Sequence, residues 1–215
     1  MQLAKFGHSC VRLSEAGRTL VIDPGVFSEA SDALAGIDTV LITHEHPDHV
    51  DIGALTAAAE ANADLRIWAP ESVAQMLPAL SDVVTTVGAG EEFDASGFGV
   101  RTFGGQHALI HSSVPVVANV GYLIDETVYH PGDSFTVPTA PVDTALVPIH
   151  APWSRVGEVL DFEIALRARQ AFQIHDALLN DDGKGVVYGH IRRIAGEYGT
   201  DFRVLDTGET VDVSG

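Results

Sequence analysis

Three histidines and one aspartate fall within the six residues His44-Glu45-His46-Pro47-Asp48-His49. Imidazole nitrogens and carboxylate oxygens are ligands for zinc, manganese or iron. Burying them together without a cation is costly. Pro47 opposes a regular helix through the run, and the position four after His44 is Asp48, so this is not the helical HExxH zinc motif. In an extended or turning segment His44 and His46 share one side while Asp48 and His49 point elsewhere, which suits two adjacent metals. Further ligands must come from distant strand ends. The candidates are His107 in Gly104-Gly105-Gln106-His107, Asp133 in Pro131-Gly132-Asp133-Ser134 and His175 in Gln173-Ile174-His175-Asp176. Each follows a predicted strand, where folds place functional side chains, although each taken singly also reads as a turn or cap residue. Two divalent ions are the expected cofactors, zinc foremost, with manganese or iron as alternatives.

The elements that must position these residues are legible from apolar patterning. Gln2 to Phe6 and Cys10 to Leu13 alternate as paired strands, a turn follows at Glu15 to Arg18, and Thr19 to Ile22 is a third strand ended by Asp23-Pro24-Gly25. Thr39 to Ile42 is a continuous apolar run, as expected of a strand buried on both faces, and it leads straight into the histidine cluster. A helix is expected over Ile52 to Asn62, a strand over Leu65 to Ala69, and a helix opened by Pro70 and reaching Leu77. Further strands are expected at Val83 to Val87, Glu92 to Ala95, Gly99 to Phe103, Val116 to Ile124, Thr127 to His130, Thr144 to Ile149, Phe172 to Ile174, Phe202 to Leu205 and Glu209 to Val213. Helices are expected over Val156 to Arg169 and within Gly185 to Tyr198. Strand meanders followed by strand–helix alternation, in two comparable halves, predict a layered α/β protein with central sheets, in one domain over 1–215.

Composition narrows the function. The chain is 46% hydrophobic and 20% charged, as a globular protein is. Net charge is −18, and Lys5 and Lys184 are its two lysines, so nucleic acid is not the expected partner. No apolar run approaches the ~20 residues that cross a bilayer, so no membrane partner is expected. The N-terminal segment lacks a signal-peptide pattern, and a cytoplasmic protein is expected. The single cysteine, Cys10, rules out an internal disulfide and a thiolate-rich zinc site. A small-molecule substrate is the expected partner, and homo-oligomerisation is compatible with these residues.

In order, a strand-ending Asp23, the His44-x-His46-x-Asp48-His49 run, His107, Asp133 and His175 resemble the metallo-β-lactamase fold superfamily over nearly the whole chain. That resemblance implies a four-layer αβ/βα sandwich with metals at the edge between two sheets. By it, His44, His46 and His107 would hold one metal, Asp48, His49 and His175 the other, and Asp133 would bridge them. A hydroxide shared by the two metals would be the nucleophile, with Asp48 orienting it. Asp23 would accept an N–H from a ligand histidine and fix its orientation. Gly7-His8-Ser9, Ile22-Asp23-Pro24 and Tyr129-His130-Pro131-Gly132-Asp133 are similar to the branch containing ascorbate-6-phosphate lactonase. They are similar, more distantly, to the phospholipase D that releases N-acylethanolamines. On that basis His8 would contact substrate or leaving group. The chain departs from true β-lactamases, which carry a cysteine ligand, and from diiron relatives, which usually have a carboxylate where His46 stands.

The expected activity is metal-dependent hydrolysis of a lactone or ester-type bond in a small molecule. Phosphodiester hydrolysis at the same site and a non-catalytic metal-binding module are the alternatives. Among the remaining histidines, His111 reads as a surface residue and His130 as a buried structural one. His150 and Trp153 are candidates for a substrate pocket, with Trp153 as an apolar wall, and His190 has no informative context.

Overall fold

The computed structural model describes residues 1–213, so the last two residues of the expected 1–215 domain lie outside the described residues. The chain begins as a meander of β1 (Gln2–Lys5), β2 (Val11–Glu15) and β3 (Arg18–Ile22). Ala16 and Gly17 both adopt positive φ at the β2–β3 turn, which matches the twist of a tight hairpin. Parallel crossovers follow through α1 (Ala30–Ala33), β4 (Thr39–Leu41), α2 (Ile52–Ala61), β5 (Arg66–Ala69), α3 (Glu71–Met76) and β6 (Val84–Thr86). The same plan recurs. An antiparallel block of β7 (Glu92–Ala95), β8 (Phe98–Gly104), β9 (Val120–Ile124) and β10 (Val128–His130) precedes a parallel block of β11 (Thr144–Pro148), α4 (Val156–Leu166), β12 (Gln170–Ile174), α5 (Asp181–Tyr198) and β13 (Asp201–Arg203). Strand β14 (Thr210–Asp212) then returns to pair with β1.

Two seven-stranded sheets result, ordered β14-β1-β2-β3-β4-β5-β6 and β13-β12-β11-β10-β9-β8-β7. The period-2 alternation of each strand assigns its side chains to layers. Leu20, Ile22, Leu41, Leu146, Phe172 and Ile174 join the cluster between the sheets. Their neighbours Val21, Val40 and Ile42 pack in the cluster with Leu55 of α2 and Val73 of α3. On the other side Ala145, Val147 and Ala171 pack in the cluster with Phe162 of α4 and Ile191 of α5. Strands buried on both faces therefore read as continuous apolar runs. The architecture is the four-layer α/β sandwich, helices outside and two sheets inside.

Four differences from the sequence expectations have local causes. The strand expected from Val116 begins only at Val120, because the positive φ of Gly104 and Gly105 breaks the regular ladder, although Gly105 and His107 still donate to the Asn119 and Val117 carbonyls. Helix α5 starts at Asp181, ahead of the expected stretch, because the Asn180 side chain accepts the Gly183 N–H as a cap. Helix α4 ends at Leu166, where Arg167 adopts a left-handed conformation, short of the expected Arg169. The four-residue α1 had no periodic signal. Among the described residues, no helix is long and apolar enough to cross a membrane.

Helix α4 buries Val159, Phe162, Glu163 and Leu166, an i, i+3, i+4, i+7 stripe with a carboxylate in an apolar place. No well-formed hydrogen bond reaches either Glu163 oxygen. Burial pushes its pKa up from 4.5 to about 7, and the neighbouring Thr200 hydroxyl offsets only part of that. A carboxyl whose folded pKa is raised costs stability as pH climbs through that window, because the folded state must either keep the proton or bury the charge. Glu163→Gln removes the cost. The variant should gain stability relative to wild type between pH 5 and pH 8, by up to roughly 3 kcal/mol. Urea midpoints of both proteins at the two pH values measure this, and an unchanged difference contradicts it.

Candidate metal centre

The centre is assembled from loops that leave the C-terminal ends of strands, the usual ligand side of parallel blocks. Asp23 ends β3 and is fully buried. Its Oδ1 accepts the Thr43 backbone N–H at 2.8 Å, and its Oδ2 accepts the Thr43 hydroxyl at 2.7 Å and His49 Nδ1 at 2.6 Å. The Asp23 loop and the histidine loop are further stitched by Val26 N–H to Pro47 O at 2.9 Å and Asp51 N–H to Pro24 O at 2.9 Å. A Cβ on Gly25 would stand 1.9 Å from the Asp48 carbonyl oxygen, so only glycine lets the two loops lie this close.

Two sets of ligand-type atoms form. His44, His46, His107 and Asp133 make one, and His8, Asp48, His49 and His175 the other, with the atoms of each set within 4.8 Å of one another. Asp133 reaches both. Its Oδ2 is 3.3 Å from His107 Nε2 and 3.1 Å from His175 Nε2, and its Oδ1 is 3.0 Å from His49 Nε2. Two groups outside the predicted set hold this carboxylate. Buried Asn119 accepts the Asp133 backbone N–H at 2.9 Å and donates to Pro131 O at 2.9 Å. Trp153 Nε1–H donates to Asp133 Oδ2 at 2.9 Å. The indole is thus a polar partner of the centre, and the expectation of a purely apolar wall is corrected. Asn119 carried no sequence signal, since its position reads as the middle of a strand.

The rings are oriented by their outer nitrogens. His49 Nδ1–H donates to Asp23, His107 Nδ1–H to the Ala108 carbonyl at 2.6 Å and His175 Nδ1–H to the His150 carbonyl at 2.6 Å. Each Nε2 lone pair is thereby turned inward, the arrangement of metal-binding histidines. Buried His49 Nε2, His175 Nε2 and Asp133 Oδ1 lie 3.0–3.1 Å from polar atoms of this cluster yet make no well-aligned hydrogen bond among the described residues. Orphaned buried donors and acceptors are rare, and these three converge from different loops. The residues fit a divalent cation.

Electrostatics agree. Burial drives His44 well below its ordinary pKa, and His46 and His8 in the same direction, so these rings are neutral. Burial acts likewise on His49 and His175. It is overcome at His49 by Asp133 and Asp23, and at His175 by Asp133 and Asp48, which push His175 up to about 9. Burial alone would raise Asp133, yet His49, His107 and His175 hold it well below the carboxylate range. The raised basicity of His49 and His175 and the lowered one of Asp133 express one attraction, between the buried carboxylate and the imidazoles that face it.

His8, Asp23 and His175 all have positive φ (43°, 53° and 58°) without being glycine. Such conformations cost free energy and concentrate at functional sites. The structure brings together every predicted site residue. Outside the two sets, His130 is buried and joins Ser9 O to the Gly132 N–H, His150 offers its carbonyl to His175, and His111 and His190 are exposed. Lys5 and Asp176 form a buried ion pair at 2.8 Å beside His175, which charge patterning did not reveal. Exposed apolar residues crowd the same loops: Val26 and Phe27 after Asp23, Leu109 and Ile110 after His107, and Val137 after Asp133.

Two facing mixed sheets with this histidine–carboxylate centre at their edge define a metal-dependent hydrolase of the metallo-β-lactamase superfamily. The chain is 38% identical over 212 residues to Protein Rv0786c of Mycobacterium tuberculosis, covering 95% of this chain and 96% of that one. It is 32% identical over 186 residues to a UPF0173 protein of Pyrococcus abyssi, covering 81% and 83%. Among solved structures it is similar to Igni18, a metallo hydrolase of Ignicoccus hospitalis, with TM-score 0.74 and 22% identity over 98% of this chain and 97% of that one. The chain belongs to the beta-lactamase superfamily domain family, which matches residues 2–175, and to its UPF0173 group.

Trp153→Phe keeps a ring against Phe135 while removing the donor to Asp133. Losses of outer partners typically cost 10–100-fold in metal affinity. The variant should bind zinc about 10-fold more weakly, measured by competition with a chromophoric chelator, at an unchanged far-UV circular dichroism spectrum. Equal affinities would show that Asp133 needs no such support.

Proposed function

We propose that this protein hydrolyses a lactone or ester-type bond in a small molecule, with two divalent ions in the centre, zinc foremost. The observation that carries the reading is Asp133, whose two oxygens face histidines of both ligand sets. In this reading His44, His46 and His107 hold one ion, Asp48, His49 and His175 the other, and Asp133 bridges. Bound ions would supply a hydroxide nucleophile at neutral pH and neutralise charge developing on the substrate oxygen.

The chain's own groups do the rest. Asp23 locks the His49 tautomer, as Ala108 and His150 carbonyls lock His107 and His175. Asp48, which is partly exposed, orients the attacking water. His8 Nδ1 accepts the Ala177 N–H at 3.3 Å, so its Nε2 carries the hydrogen and donates to Asp48 Oδ2 at 3.1 Å. From there it contacts substrate on the leaving-group side. The water oxygen bonds to the acyl carbon, the acyl carbon–oxygen bond breaks, and a water proton goes to the departing alkoxide.

Phosphodiester hydrolysis is the second reading. Lys5 and Lys184, which line a cavity together with His8, are the cations that could meet the extra phosphoryl charge. The similarity of Gly7-His8-Ser9 and Tyr129 to Asp133 to the lactonase branch supports acyl chemistry. A cytoplasmic setting belongs to the same proposal, supported by a lone, buried, free Cys10.

A panel of lactones, 4-nitrophenyl esters and bis(4-nitrophenyl) phosphate, assayed with zinc-, manganese- and iron-loaded protein, tests the reading. Purified protein should contain about two transition-metal ions per chain. His46→Ala and Asp48→Ala should each lose at least ~100-fold in kcat/KM while keeping the wild-type circular dichroism. Full activity after exhaustive chelation would sink it.

A further inference from the structure

The centre lies between two cavities that differ in charge. One, of about 400 Å3, is lined by His8 together with both lysines of the chain, Lys5 and Lys184, and by Asp176, Asp181 and Asp206. The other, of about 680 Å3, is lined by His107 with Phe103, Phe135, Val137 and Ala108, joined by the Gln106 amide and the hydroxyls of Ser134, Thr136 and Thr139. No Asp, Glu, Lys or Arg lines it, in a chain one-fifth charged. Its walls are the two loops that carry His107 and Asp133, tied by the Ala108 N–H to Asp133 O at 2.8 Å. Trp153 stands edge-on to both His107 and Phe135 and donates to Asp133, so a wall of aromatic rings continues from this cavity to the proposed bridging carboxylate.

We propose that the uncharged cavity beside His107 seats an apolar acyl group of the substrate, the polar leaving group lying on the His8 side. This rests on the hydrolase reading and names its substrate class: esters or lactones of medium-chain or aryl carboxylic acids. The reverse orientation would place hydrocarbon against buried charge and leave Lys5, Lys184 and Asp176 desolvated without gain. Burial of each additional methylene favours binding. Val137 is 43% exposed at the cavity mouth, where an acyl chain would cover it.

The test is a 4-nitrophenyl ester series from acetate to octanoate, with calorimetric binding of octanoate and acetate to the same purified protein. We expect kcat/KM to rise about twofold per methylene, and octanoate to bind at least 10-fold more tightly than acetate. Both probes present one carboxylate, so the difference belongs to the chain. Val137→Asp should cut the octanoate-to-acetate ratio of kcat/KM about tenfold, whereas Val186→Asp, on the exposed face of α5, should leave it unchanged. Ester turnover with no chain-length gain and equal binding of the two acids overturns the acyl cavity and leaves the hydrolase reading intact. Tighter octanoate binding without turnover of any ester or of any lactone in the panel sinks the hydrolase reading and keeps the cavity. A chain-length gain that Val137→Asp does not touch puts the chain elsewhere and overturns the location.

Discussion

A buried carboxylate, Asp133, faces histidine nitrogens from three other loops at 3.0–3.3 Å, and the rest of the centre is arranged around that fact. Such a group is tolerated in a low-dielectric interior only with compensating charge or a full set of donors. The imidazoles of His49 and His175 face it and are made more basic by it, and a divalent cation would compensate the charge more fully. The surrounding contacts all limit how far the carboxylate can move. Asn119 holds its backbone, and Trp153 holds one of its oxygens. Gly132 is glycine because a Cβ there would stand 2.3 Å from Asn119 Oδ1.

The fold supports this by duplicating one plan. Each sheet has an antiparallel block and a parallel block, and the two sheets share an apolar layer that includes Leu41, Phe98, Tyr122 and Phe172. Strand ends from both halves therefore meet at one edge. Asp23, Asp48, His49 and the pair His44 and His46 come from the first half; His107, Asp133 and His175 come from the second. Neither half alone holds a complete ligand set. Three residues where the halves meet, His8, Asp23 and His175, hold positive φ, sustained by the hydrogen bonding of their loops.

The polarity around the centre is equally uneven. Charged side chains line the cavity on the His8 side and, among the described residues, none line the one on the His107 side, so a substrate spanning both would be oriented before any bond is broken.

How much was legible in the sequence depended on whether a residue's partners were close along the chain. Strands such as Thr39–Leu41 and Thr144–Pro148 were legible because burial on both faces writes itself as an unbroken apolar run. The run His44 to His49 announced ligand chemistry because four donor side chains sat within six residues. Asn119, the hydrogen bond of Trp153 to Asp133 and the Lys5–Asp176 pair were not legible, since the partners lie 14, 20 and 171 residues apart, although Trp153 itself stood out as a pocket residue. The sequence by itself determined the elements, their order and the kinds of donor atom available. Only the tertiary structure decided which nitrogen each ring turns inward, that Asp133 is shared by both sets, and which side of the centre is charged. Those are properties of distances between strand ends, and periodicity along one strand carries no information about them.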